Sequence, residues 1–70
     1  MKLKEAIIIH TGYKSLLFEY GINCAMNIEI AKWLQDTFTG GYGVGYYYSH
    51  NWIYFKKEFD VTAFKLRFNI

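Results

Sequence analysis

His10, Cys24 and His50 are the residues of this chain whose side chains bind soft metals or work as nucleophile and base near neutral pH. A catalytic zinc needs three such ligands converging on one point, usually announced by a close pair such as C-x-x-C or H-x-x-x-H. Here the three lie 14 and 26 residues apart, and none has a second ligand nearby. A Cys24–His50 dyad would need a third group to orient the imidazole and a loop of backbone amides to hold an oxyanion, and neither is recognisable. The carboxylates Glu5, Glu19, Glu29, Asp36, Glu58 and Asp60 are scattered singly, so no acid–base pair can be assembled from spacing. The reading is a non-enzyme with no cofactor and no metal.

The stretch "GGYGVGYYYSHNWIYF", residues 40–55, is the other concentration of chemistry. It has no Lys-Ser/Thr after its glycines and opens onto no helix, so it is not a phosphate loop. The glycines read as a helix stop and an entry into a strand. The rings are expected on one face. In a continuous strand Tyr46, Tyr48, Trp52 and Tyr54 share parity, and in a hairpin turning over Ser49, His50 and Asn51 residue 48 pairs with 52 and 46 with 54. Such a stripe suits a core, a protein interface, or a platform on which single-stranded bases stack while Lys56, Lys57, Lys65 and Arg67 hold phosphates.

The elements that must position these rings follow from local pattern. Glu5–Thr11 and Ser15–Tyr20 are apolar runs joined across "TGYK", where Gly12 supplies a hairpin turn. Both runs contain three consecutive apolar residues, so each presents an apolar group to both faces. Asn27 is the expected N-cap of a helix over about 27–38 that ends at Gly40 and Gly41. Beyond the aromatic strand, Phe64, Leu66, Phe68 and Ile70 alternate with Lys65, Arg67 and Asn69 and predict a half-wet strand. Drawn as a helix, that segment would carry apolar groups on opposite sides, so only a short helical turn near 58–63 is expected. The fold class is α+β: residues 1–70 as one small domain, with about four strands in a single antiparallel sheet and one main helix, roughly ββαββ.

The segment "FKKEFDVTAFKLRF", Phe55–Phe68, resembles the ending of a group of small proteins encoded by tailed bacteriophages, in which an acidic turn and "FKLR" plus an aromatic close the chain. The resemblance covers about a fifth of the sequence, which departs from the pattern in the spacing of Asp60 and Ala63. It implies a phage accessory protein acting in the cytoplasm of an infected bacterium, with a host or viral protein as partner.

Composition narrows the function further. At 70 residues the domain buries only ~60% of its unfolded surface, and it has a single cysteine, so no disulfide braces it. With 53% hydrophobic and 21% aromatic residues, some rings are expected to be exposed or shared, and a homo-oligomer, by default a dimer, self-associating through the aromatic sheet face is expected. The apolar run Ala6–Ile9 is too short for a signal peptide or a membrane span, and the lone cysteine fits a reducing cytoplasm. The net charge of +2 arises near the end of the sequence, where Lys56, Lys57, Lys65 and Arg67 stand against Glu58 and Asp60. The leading expectation is a small interaction protein using Tyr46, Tyr48, Trp52 and Tyr54; the alternative is a single-stranded nucleic-acid binder adding Lys56, Lys57, Lys65 and Arg67.

Overall fold

The computed structural model describes residues 2–70. The chain runs β1 (Lys2–Thr11), β2 (Lys14–Asn23), α1 (Ile28–Thr37), β3 (Tyr46–Ser49), β4 (Trp52–Phe55) and α2 (Glu58–Phe68). The four strands form one antiparallel sheet in the order β1-β2-β4-β3. The α+β class with a single four-stranded sheet and a main helix is what the sequence predicts; the element order is ββαββα.

Gly12 opens the two-residue β1–β2 turn with φ 61°, the position where a II′ hairpin requires it. The long hairpin outruns its neighbour, because β4 pairs only with Tyr20–Asn23 of β2. Residues 7–18 therefore project as a two-stranded ribbon, with Ile8, Tyr13 and Leu17 exposed. Nearer the sheet, β1 carries extra residues between Lys2 and Ile7 relative to β2. Helix α1 begins as predicted: Asn27 Oδ1 accepts from the Ile30 N–H at 2.8 Å.

The core lies between the sheet and both helices. Ile22, Tyr46, Ile53 and Phe55 from the sheet meet Ile30 and Leu34 of α1 and Val61 and Phe64 of α2. Trp33 ties the two helices together, standing edge-on to Phe64 at 5.7 Å, Phe68 at 5.8 Å and Phe38 at 6.1 Å. At the rim an exposed Arg67–Glu29 pair, 3.5 Å apart, links the same helices.

The half-wet strand predicted over Phe64–Ile70 is not formed; Phe64–Phe68 belong to α2, which extends the expected short turn to eleven residues. Val61, Phe64 and Phe68 recur at helical spacing and give α2 a buried stripe. The apolar groups on the opposite side, which argue against a helix from sequence, stay in solvent: Phe59 is 78% and Leu66 80% exposed. The helix stops at Asn69, in the left-handed conformation with φ 56° and ψ 48°, where its N–H and that of Ile70 both return to the Lys65 carbonyl.

Candidate interaction surface

β3 and β4 are joined by a two-residue turn in which His50 and Asn51 both take positive φ, 51° and 63°. This is the I′ arrangement, whose twist matches that of the flanking strands. Ser49 therefore pairs with Trp52, Tyr48 with Ile53, Tyr47 with Tyr54 and Tyr46 with Phe55. A three-residue loop would pair 48 with 52; removing one residue from the loop moves one strand's whole set of side chains to the other face. The expected stripe is thus divided. Tyr46 and Tyr48 pack on the helix side with Ile53 and Phe55, whereas Trp52 and Tyr54 lie on the side without helices, joined by Tyr47.

On that second side the rings form a continuous row. Tyr42 stacks on Tyr47 at 5.5 Å, Tyr47 on Tyr54 at 5.9 Å, and Tyr54 on Trp52 at 6.2 Å with only 14° between planes. Aromatic neighbours of this kind, among which Tyr47 and Tyr54 are directly paired across β3 and β4, contribute ~0.5–1 kcal/mol each. The floor beneath Trp52 and Tyr54 is Gly21. A Cβ there would lie 3.0 Å from Tyr54 Cδ1, 3.1 Å from Leu3 Cδ2 and 3.3 Å from Trp52 Cε3. The rings can lie flat because β2 offers no side chain at that point. Beside the row the fully buried Phe18, outside the helix-side core, tilts against Tyr47 at 6.2 Å, and the Lys56 ammonium sits 5.9 Å from the Phe18 ring centre.

Tyr42 and Tyr47 were not among the expected site residues. Tyr42 comes from the glycine loop, and its contribution depends on how that loop folds back on β3. Its hydroxyl donates to the Tyr48 carbonyl at 3.0 Å, and the Gly43 N–H donates to the Tyr46 carbonyl at 2.6 Å. Both outward carbonyls of β3 are thereby occupied, which blunts a sheet edge that would otherwise template another strand. The Tyr42 phenol is held above the ordinary tyrosine value, by desolvation first and then by the charge and hydrogen bonding of Tyr47.

The four basic residues are dispersed. Lys56 alone lies against a ring of the second face; Lys57 caps α2, and Lys65 and Arg67 occupy its last turn, with Arg67 over Phe68 at 4.8 Å. His10 bonds Ser15 near the tip of the long hairpin, while His50 bonds Ser49 at the β3–β4 turn. The Cys24 N–H donates to the Asn51 carbonyl at 2.9 Å, so Cys24 shares a corner of the sheet with His50 and is remote from His10. No group of three His, Cys, Asp or Glu and no ligand-sized pocket occurs among the described residues, and no helix there is long and apolar enough to cross a membrane. No family model, curated protein or solved structure matches the chain.

Proposed function

We propose that this chain is a small non-enzymatic interaction protein that recognises another protein through the helix-free face of its sheet. The observation that carries the reading is the row Tyr42–Tyr47–Tyr54–Trp52, half-buried to exposed rings in continuous stacking on a face that no second layer covers. Tyrosine and tryptophan held flat by their neighbours lose little entropy on binding and are the types enriched at interface hot spots. The resemblance of residues 55–68 to phage accessory proteins supports a host or viral protein in the bacterial cytoplasm as the partner. The nucleic-acid alternative needs rings and cations on one surface, and of the four basic residues expected to hold phosphates only Lys56 lies against a ring of that face.

The test is a binding titration with a protein co-purified from infected cells, repeated with Trp52→Ala and with Lys56→Ala plus Lys57→Ala, folding being followed by circular dichroism. Trp52→Ala should weaken binding by about 2 kcal/mol or more, while the double lysine variant and added salt should change it little. Undiminished binding by a folded Trp52→Ala chain refutes the assignment. Binding of a labelled oligothymidylate that weakens steeply with salt and is lost in the lysine variant would establish the alternative.

A further inference from the structure

Helix α2 is apolar on two opposite sides, and only one has a partner. At 100° per residue Val61, Phe64 and Phe68 point into the core. Phe59 and Leu66, seven residues apart, point the other way with Thr62 and Ala63 between them, and Ile70 just past the cap is exposed as well. Two large residues one heptad apart with small ones between form a contact seam for another helix.

The charges beside the seam select the occupant. Glu58 and Lys65 lie along one flank, and Asp60 and Arg67 along the other, each pair seven residues apart with the acid toward the N-terminus. We propose that a second copy of this chain packs its own α2 antiparallel on the Phe59–Thr62–Ala63–Leu66 seam, giving a two-fold symmetric dimer. A two-fold axis across the helices keeps each flank on its own side and exchanges its ends. Glu58 then faces Lys65 of the second copy, Asp60 faces Arg67, Phe59 packs on Leu66, and the small residues meet at the crossing. The helix dipoles oppose as well. Parallel pairing would set acid against acid on both flanks, and an unrelated helix would have no reason to match both. Arg67 already meets Glu29 at 3.5 Å, an exposed pair that leaves the guanidinium open to a second carboxylate.

An eleven-residue helix is about 16 Å long. It offers about half of the ~800 Å² per partner that a standard interface buries, which places the dimer among weak, reversible associations. The seam lies on the helical layer, away from the aromatic row, and the inference does not depend on what that row binds.

Sedimentation equilibrium from about 10 to 500 µM, the range in which weak association is read, tests it, with thermal melts reporting the fold. Wild type should pass from monomer to dimer. Leu66→Glu, at a residue that touches nothing in its own core, should raise the midpoint at least about tenfold, because symmetry counts each substitution twice. Lys65→Glu should weaken association about two- to tenfold, and Glu58→Lys added to it should restore the lost part. Trp52→Ala should leave the curve unchanged. The proposal is overturned by a monomer throughout, by an unchanged midpoint in Leu66→Glu, by failure of the charge exchange to restore association, or by loss of association in Trp52→Ala.

Discussion

Replacing Gly45 with alanine tests how the glycine loop delivers β3 to the sheet. A Cβ at Gly45 would lie 2.5 Å from the Phe38 Cβ and 3.1 Å from its Cγ. The nearest atom is itself a Cβ, so rotating the Phe38 ring cannot relieve the clash; the backbone at 38 or 45 has to move. Phe38 is confined by Trp33 at 6.1 Å, Tyr46 at 5.9 Å and Phe55 at 5.7 Å. Overpacking at such a site costs ~1–3 kcal/mol. A stiffer unfolded chain returns ~0.4–1 kcal/mol, leaving a net loss of about 1–2 kcal/mol. For a domain of this length, with about 4–10 kcal/mol in total, the melting temperature should fall by about 5–15 °C. Urea and thermal unfolding measure the loss. Phe38→Leu keeps the Cβ, so adding it to Gly45→Ala should give no rescue. An unchanged midpoint in Gly45→Ala, or recovery in the double variant, would refute the steric argument.

Three further outcomes can be checked by the same unfolding measurements. Lys57 occupies the N-cap of α2 with extended backbone, φ −127° and ψ 145°, and makes no side-chain cap bond; Lys57→Ser should add about 1 kcal/mol, and an unaltered melt would mean the cap is satisfied otherwise. The β3–β4 turn holds His50 and Asn51 at positive φ, so His50→Asn with Asn51→Gly, the preferred I′ pair, should relieve left-handed backbone cost and raise stability by roughly 0.5–1 kcal/mol, and a loss would argue that the Tyr48–Asn51 side-chain contact matters more. The Asp60 carboxyl is raised above its ordinary value by desolvation, partly offset by Lys57. The folded chain therefore binds more protons than the unfolded one in the window above 3.8, and stability should fall as pH rises through it. Asp60→Asn should flatten that slope, and an identical pH profile would remove Asp60 as its source.

What could be read from sequence is what short-range chemistry decides. Asn27 before an amphipathic run sets the start of α1, and Gly12 between two apolar runs sets the first hairpin, because capping and turn formation involve only neighbours in the chain. The aromatic content of the site was equally plain; its facing was not. Tyr46 and Trp52 lie on opposite sides of the sheet because the turn has two residues rather than three, a small difference in local energy that reverses a whole strand. The last element was decided by tertiary contact alone. Phe64, Leu66 and Phe68 alternate as a strand would, but at the β3 edge Tyr42 and Gly43 occupy the outward carbonyls, and the other edge, β1, lies two strands away from β4, after which the segment begins. As a helix the same residues place Phe64 and Phe68 against Trp33 and leave Leu66 in solvent. Burial of one stripe in a core that already holds α1 outweighs the exposure of the other, and that balance exists only once the sheet and α1 are in place.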